Sequence, residues 1–407
     1  MELSHEYLVD MEIISKIVAK LRGWEYSWLC LLVLITLVIH LAVITLPSEP
    51  MFDEQHYVPD ARSIISGDGS HRPEHPPLGK LLITGGILLF GDNPFGWRLL
   101  PVFFGCIVIW LFYLICRRLH MSRREASLAT FLLSFENMTF VQAGIAMLDV
   151  FCLAFMLLCF WLYLKGGYLL SGAAAALAAL VKLTGVLALP VIGLHWLLLR
   201  RKRIGFFVGG MLLAATLFVL LLPLLNLPVF QQWSNPLDDV KAMLTQSDSI
   251  KFADNTHPSR SRPWEWIILP LIMPYWLTPH YLGAISFNIW ALILPALAYA
   301  LWLGWKREKR EAALFALLWF AVTYLLWIPL VLITDRVTYV YYFYPVIGSI
   351  CILLGLGLSH LLEWRQAGSR RVRRIATGIF AGFVLLHMFI FALLGPFSSW
   401  LPFVKSA

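Results

Sequence analysis

The chain has 407 residues, of which 59% are hydrophobic and only 14% are charged, and its formal net charge is +8. Soluble globular domains contain about 25% charged residues, so this composition excludes a soluble protein and indicates an integral membrane protein. The six cysteines all lie in apolar segments, where they behave as small hydrophobic residues and not as a disulfide or zinc framework.

Residues 1–25 predict a short amphipathic segment on the cytoplasmic surface. The first long apolar run starts near Tyr26, too deep and too long for a cleavable signal peptide. A membrane-spanning helix needs about 20 apolar residues, and about eleven such stretches follow. They lie near residues 26–46, 96–116, 126–145, 147–164, 168–182, 185–199, 204–225, 285–305, 312–333, 338–362 and 375–394.

Clusters of Lys and Arg occur at every second connection between these stretches, as the positive-inside rule requires. This pattern predicts a cytoplasmic N-terminus and a C-terminus outside, and it leaves no basic surface for nucleic acid. Two further apolar runs, 78–90 and 266–279, are too short or too rich in proline to span and are predicted to lie along the outer interface. Two long outer connections remain, 47–95 and 226–284.

An acidic pair, Asp53 and Glu54, follows the first predicted span directly, with His56 close behind. Pro59 suits the first turn of a following helix, so the pair is expected on the link before that helix. Adjacent acids near a bilayer are costly to keep charged. They are either solvated loop residues or part of a site at the membrane surface.

More polar side chains are predicted at the outer ends of other spans. Basic residues are disfavoured in short outer loops, so Lys182 and Arg336 indicate an anion on that side, although both could also snorkel to lipid headgroups. The full set comprises His75, Lys80, Arg98, Gln142, Asp149, Lys182 and Arg336.

Glu136 is predicted about ten residues into the third span, where an inter-helix hydrogen bond is the favoured role for a buried acid. The histidines at 56, 71 and 75 lie near Asp53, Glu54 and Glu74, but their spacing matches no metal-ligand pattern. We therefore expect no metal cofactor.

An outer carboxylate beside cations suits the transfer of a sugar from a lipid phosphate. The carboxylate takes a proton from an acceptor hydroxyl, and the cations stabilise charge on the departing phosphate. Because phosphate leaves readily, one base is sufficient for a single inverting displacement, unlike the two carboxylates of most glycosidases.

The ordered motifs "FDEQHY", "HPPLGK", "WRLLP", "QAGIAMLD", "VKLTG", "HPSRSRPWEW" and "RVTYVYYFYP" resemble the protein O-mannosyltransferases of the C-type (GT-C) glycosyltransferase superfamily. The resemblance covers nearly the whole chain. It implies an all-α polytopic GT-C fold over residues 26–407, with interfacial helices in the first outer loop. It also implies a dolichyl- or polyprenyl-phosphate mannose donor, inversion without a metal, and a cell-membrane enzyme whose site faces the extracytoplasmic side.

By this resemblance Asp53 is the expected catalytic base, and its neighbour Glu54 is expected to be catalytic as well. Arg98 and Lys182 are expected at the lipid phosphate, together with Arg336 from the charge argument above. The remaining polar residues, expected to bind substrate, are His56, His75, Lys80, Gln142 and Asp149.

The chain departs from eukaryotic members because 226–284 is too short for their soluble β-trefoil insertion. The acceptor is therefore either a protein Ser/Thr hydroxyl, in a bacterial or archaeal member, or a lipid or glycan, as in an aminoarabinose transferase-like enzyme acting on lipid A. A transporter or flippase would place its polar site near the midplane in repeated halves, which the sequence does not show. A structural scaffold would not explain the outward-facing bases.

Overall fold

The computed structural model describes residues 24–70, 72–247 and 250–397. It is a helical bundle with one small hairpin, and the segment predicted over 1–25 lies almost wholly outside the described residues. The helical segments are α1 (Ser27–Val43), α2 (Glu54–Ser66), α3 (Pro77–Phe90), α4 (Pro94–Arg118), α5 (Arg123–Ser134), α6 (Asn137–Ala143), α7 (Leu148–Leu164), α8 (Tyr168–Val181), α9 (Leu183–Arg200), α10 (Ile204–Phe230), α11 (Pro236–Ser247), α12 (Glu265–Ile268), α13 (Phe287–Trp290), α14 (Ile293–Lys306), α15 (Arg310–Thr334), α16 (Val340–Ala367) and α17 (Arg370–Leu394).

Within the described ranges six helices are long and apolar enough to cross a membrane, or seven if the bent pair α6–α7 is one span. The helices α1, α3 and α8 are apolar but shorter. A multi-pass membrane protein is confirmed, whereas the count of eleven spans and the orientation of the termini stay predictions.

The central helix α4 carries clear start and stop signals. The Asn93 side chain accepts a hydrogen bond from the Gly96 N–H at 3.1 Å, and Pro94 occupies the first turn. Arg117 and Arg118 lie in its last turn, where cations complement the helix dipole. Helices α4 and α16 are the most enclosed of the long spans, since 56% and 61% of the residues in their most apolar 18-residue segments are buried.

The third predicted span, 126–145, is not continuous. The chain breaks between α5 and α6, where the fully buried Glu136 caps α6 by accepting a hydrogen bond from the Thr139 N–H at 2.7 Å. In place of the predicted inter-helix hydrogen bond, Glu136 accepts one at 2.8 Å from the N–H of Ser286, which lies just before α13. α6 then meets α7 at 109°. This bend brings the turn between α6 and α7 to the end of the bundle that holds the first long connection, since the Ala146 N–H in that turn donates to Glu54.

The first long connection holds α2 and α3. α2 begins at Glu54, five residues before the position expected from Pro59, which lies inside the helix. The second long connection contains an antiparallel hairpin, β1 (Met273–Trp276) and β2 (Tyr281–Gly283), where an interfacial segment was predicted. The strictly all-α prediction is therefore wrong here, because three prolines within 266–279 prevent a regular helix.

Candidate active site

Asp53 lies on the link between α1 and α2, and the backbone on either side of it is tightly held. Phe52 adopts a left-handed φ of +48°, which is strained for a bulky side chain. Its ring stacks on Tyr275 of β1, with centroids 4.1 Å apart. The Met51 N–H donates to the Glu54 carboxylate at 3.0 Å, closing the turn. Asp53 is thus presented by a fixed loop.

Glu54 and Arg98 form a fully buried ion pair, and this corrects two of the sequence expectations. Arg98 Nη2 and Nε donate to Glu54 at 2.7 and 2.9 Å, and neither side chain is exposed. The other N–H groups of Arg98 donate to the carbonyl oxygens of Ile44, Pro47 and Glu49. With all five N–H groups used, Arg98 has none left for a lipid phosphate.

The Glu54 carboxylate is equally occupied. It also accepts a hydrogen bond from the Ala146 N–H at 2.8 Å, in the turn between α6 and α7. These four hydrogen bonds favour a structural role for Glu54 over the catalytic role expected from the sequence. Glu54 joins the first long connection to the turn that precedes Asp149, and so it fixes where Asp53 lies.

The Asp53 carboxylate behaves differently from its neighbour. It makes no hydrogen bond or ion pair with any residue in the described part of the chain, and its side chain is half-buried. Burial raises the pKa of Asp53 to about 7; the charge of Lys182 opposes that rise and the charge of Asp149 adds to it. A carboxylate with a pKa near neutrality and no fixed partner has the properties of a general base.

Lys182 lies at the junction of α8 and α9, with its ammonium held by Asp149. Lys182 Nζ donates to the two Asp149 carboxylate oxygens at 2.8 and 3.0 Å. Gly185 allows this junction, because a Cβ there would lie 2.3 Å from the backbone carbon of Ala178. The rings of Tyr341 and Tyr342 lie 5.6 and 5.5 Å from the ammonium.

Two cavities meet at Lys182. The polar cavity has a volume of about 470 Å³, and the apolar cavity has about 250 Å³. They share a ring of residues, Glu74, His75, Lys182, Arg336 and Tyr342. The site therefore has a polar side and an apolar side, and the cations Lys182 and Arg336 lie at the boundary between them.

The apolar cavity continues into a second apolar space along the bundle. A further apolar cleft of about 420 Å³ between α8, α9 and α10 shares Leu183, Val186 and Leu244 with the apolar cavity. α11 contributes Val240 and Leu244 to this cleft. The residues that line this cleft are all apolar.

His75 and Arg336 both lie in the cavity wall. Burial, together with the charges of Lys182, Lys80 and Arg336, holds the pKa of His75 well below its usual value, so His75 is neutral. The Arg336 guanidinium has no hydrogen bond or ion pair within the described ranges, and it lies 5.9 Å from the Tyr342 ring. Arg336 is therefore free to bind an anion.

Three other predicted substrate ligands have different roles. Lys80 is buried and pairs with Asp60 at 3.1 Å. His56 is exposed and accepts a hydrogen bond from Arg72 at 2.9 Å. Gln142 is buried and donates to the Tyr275 hydroxyl at 2.8 Å, beneath the ring that stacks on Phe52. None of these three residues lines the polar or the apolar cavity; their polar atoms bind neighbouring protein groups.

The wall residues that sequence reasoning missed include Arg72, Glu74, Tyr341 and Tyr342. Arg72 and Glu74 immediately precede the "HPPLGK" motif, and the tyrosines belong to "RVTYVYYFYP". The motifs marked the right segments, but a position inside a motif does not reveal which side chains face inward.

No group of three or more His, Cys, Asp or Glu side chains within the described residues is arranged to hold a metal ion. His71, considered as a ligand from the sequence, lies outside those residues. Independence from metal therefore remains a prediction.

Comparison with known proteins supports the resemblance. Residues 74–226 match the family described as dolichyl-phosphate-mannose-protein mannosyltransferase. A polyprenol-phosphate-mannose–protein mannosyltransferase of Mycobacterium tuberculosis is 36% identical over 148 residues, covering 35% of this chain and 28% of that protein. An undecaprenyl phosphate-α-4-amino-4-deoxy-L-arabinose arabinosyl transferase of Pseudomonas fluorescens is 28% identical over 329 residues, covering 77% of this chain and 53% of that protein.

Among solved structures, the S. cerevisiae protein O-mannosyltransferase Pmt1-Pmt2 complex bound to the sugar donor superposes with a TM-score of 0.72 at 13% identity. The match covers 94% of this chain and 91% of that one, which confirms the predicted GT-C fold. The chain spans less than two thirds of the length of the mycobacterial and pseudomonad relatives.

Proposed function

We propose that this chain, whose residues 74–226 match the family described as dolichyl-phosphate-mannose-protein mannosyltransferase, is an inverting glycosyltransferase. Its donor is a polyprenyl or dolichyl phosphate carrying mannose, and its acceptor is a Ser or Thr hydroxyl of a protein. The reaction takes place at the extracytoplasmic face of the cell membrane. No metal participates, and chelation with EDTA should leave transfer unchanged.

The proposal rests chiefly on one observation, the meeting of a polar and an apolar cavity at Lys182 and Arg336. A polyprenyl phosphate sugar has the same order of parts: an apolar chain, an anionic phosphate and a hydroxyl-rich sugar. The polyprenyl chain of the donor would lie in the apolar cavity and in the cleft beyond it. The donor phosphate would bind between the Lys182 ammonium and the Arg336 guanidinium. The sugar then occupies the polar cavity, whose wall includes Glu74, neutral His75 and Arg72.

The Asp53 carboxylate supplies the base; it lines neither cavity, but the charges of the wall residues Lys182 and Asp149 act on its pKa. It takes the proton of the acceptor hydroxyl as the hydroxyl oxygen attacks the anomeric carbon from the face opposite the phosphate. The bond between that carbon and the phosphate oxygen breaks, and polyprenyl phosphate leaves with one more negative charge than the donor phosphodiester carried. Lys182 and Arg336 stabilise this growing charge, and the configuration of the sugar inverts.

The test uses the full chain, purified in detergent, with undecaprenyl phosphate mannose and a peptide containing Ser and Thr. We expect transfer by the wild type, and a loss of roughly 10²- to 10⁴-fold in kcat for Asp53→Asn with donor binding retained. Wild-type turnover by Asp53→Asn would refute the assigned base. Absence of transfer from this donor to the peptide would refute the proposed substrates.

A second candidate is an aminoarabinose transferase acting on lipid A. It is favoured by the pseudomonad relative, whose match covers 77% of this chain. The same preparation, supplied with undecaprenyl phosphate 4-amino-4-deoxy-L-arabinose and lipid A, separates the two candidates. The enzyme should show a kcat/KM preference for one donor–acceptor pair.

A further inference from the structure

We infer that the end of the bundle opposite the candidate active site binds the phosphate of an anionic phospholipid. A cavity of about 430 Å³ lies there, lined by Tyr168 at the start of α8, Arg200 at the end of α9 and Arg310 at the start of α15. α8 ends and α9 begins beside Lys182, so this cavity lies about 20 Å from the active site, the length of α8.

The cavity holds uncompensated positive charge. Glu311 accepts hydrogen bonds from Arg200 Nη2 and Nε at 2.6 and 3.1 Å, so these two wall residues neutralise each other. Lys202 and Arg310 also line the cavity, and neither side chain has a hydrogen bond or ion pair within the described part of the chain. Two cations therefore face a space that only an anion from outside the described residues would neutralise.

Hydrogen bonds and ring contacts hold Arg200 in the cavity wall. Arg200 Nη1 donates to the Leu164 carbonyl oxygen at 2.9 Å, and its guanidinium lies 5.7 Å from the Tyr163 ring. The Tyr163 hydroxyl is 2.8 Å from Nδ1 of the buried His195, whose Nε2 lies 3.9 Å from Glu311. A wall that is already ordered lowers the entropy cost of binding.

The surroundings of the cavity favour a lipid over a free anion. Leu170, Leu198 and Ile204 lie within two residues of cavity-lining positions and are 63%, 52% and 64% exposed. Phosphate alone makes no use of such side chains, whereas the acyl chains of a phospholipid cover them. Basic recesses between spanning helices suit anionic lipid headgroups in this way.

A general excess of basic residues at this end of the bundle is the competing explanation, and the chain offers a matched control. Arg371 and Arg374, at the start of α17, are exposed cations at the same end. Neither lines the cavity. The pair Lys202→Gln/Arg310→Gln and the pair Arg371→Gln/Arg374→Gln remove the same charge, and only the first changes the cavity.

The experiment measures thermal unfolding of the detergent-purified full chain against increasing palmitoyl-oleoyl phosphatidylglycerol. Separate arms use phosphatidylcholine with the same acyl chains and inorganic phosphate. We expect phosphatidylglycerol alone to raise the unfolding midpoint of the wild type and of the α17 pair. The double variant Lys202→Gln/Arg310→Gln (the cavity pair) should need about 30-fold more phosphatidylglycerol for the same rise, since each cation at a membrane surface contributes about fivefold to the affinity for an anionic lipid.

Equal phosphatidylglycerol dependence in both double variants would overturn the proposal. If phosphatidylcholine raises the unfolding midpoint as much as phosphatidylglycerol does, the effect is a general one of lipid and the proposal is overturned. If inorganic phosphate does so, the cavity is a site for free anions and the proposal is also overturned. If the cavity pair does not fold, Lys202→Gln alone, expected to weaken the response about fivefold, takes its place. The readout is binding, so a failure here leaves the proposed sugar transfer untouched.

Discussion

The neighbouring acids Asp53 and Glu54 should respond in opposite ways to the same isosteric change from carboxylate to amide. Glu54 accepts four hydrogen bonds, two from Arg98 and one each from the backbone N–H groups of Met51 and Ala146. In Glu54→Gln a single oxygen remains, so two of these buried donors face an NH₂ group. Each unsatisfied buried donor costs about 1–3 kcal/mol.

The sum for Glu54→Gln is about 2–6 kcal/mol, in agreement with the roughly 3–5 kcal/mol typical of breaking a buried ion pair. Asp53→Asn loses no partner in the described structure, and because burial raises the pKa of Asp53 to about 7, folding works against its negative charge above that pH. We therefore expect no loss in its free energy of unfolding. Its kcat should nevertheless fall by roughly 10²- to 10⁴-fold.

Chemical or thermal unfolding in detergent, measured beside the mannose transfer assay, checks both changes. The expected result is one variant that is stable and inactive and another that is clearly destabilised. Equal stability of Glu54→Gln and the wild type would show that the buried pair does not hold the loop. A large loss of stability in Asp53→Asn would show that its carboxylate has a structural partner, contrary to the assignment.

Three further predictions concern the same site. Because the pKa of Asp53 is raised to about 7 and the base acts when ionised, kcat/KM should rise with pH between 6 and 8, with its half-point near 7; a flat profile would contradict this. Lys182→Gln and Arg336→Gln should each weaken donor binding by roughly 10- to 100-fold, as expected for a lost charge-assisted hydrogen bond, whereas unchanged donor affinity in titration calorimetry would exclude a phosphate contact. Ala179→Leu narrows the apolar cleft, so it should raise the KM for a long-chain donor and leave that for a two-isoprene donor unchanged; equal effects on the two donors would place the lipid chain elsewhere.

Much of the architecture was predictable because hydrophobic length and charge placement act locally. The apolar runs at 96–116 and 204–225 correspond to α4 and α10. The run at 126–145 was misread because Glu136 breaks it by capping α6, and its second partner, the Ser286 N–H, lies 150 residues away. The hairpin at 273–283 was missed because a proline-rich segment signals the absence of a helix without specifying what replaces it.

In the site, the sequence separated polar from apolar residues but could not pair them. Arg98 and Lys182 look alike as basic residues at helix ends, yet Arg98 is used entirely by Glu54 and three carbonyl oxygens. Lys182 faces the cavity beside Asp149. The difference depends on contacts between segments far apart in the chain, which a local pattern cannot encode.

The sequence by itself determined a multi-pass membrane protein with an acid after its first span and basic residues at the ends of others, since the cost of placing charge in hydrocarbon restricts where such residues occur. Only the tertiary structure decided that Glu54 and Arg98 neutralise each other while Asp53 stays free and Lys182 faces the cavity. A buried charge must find its partner in three dimensions, and the partners here are brought together by the bend between α6 and α7 and by the junction of α8 with α9.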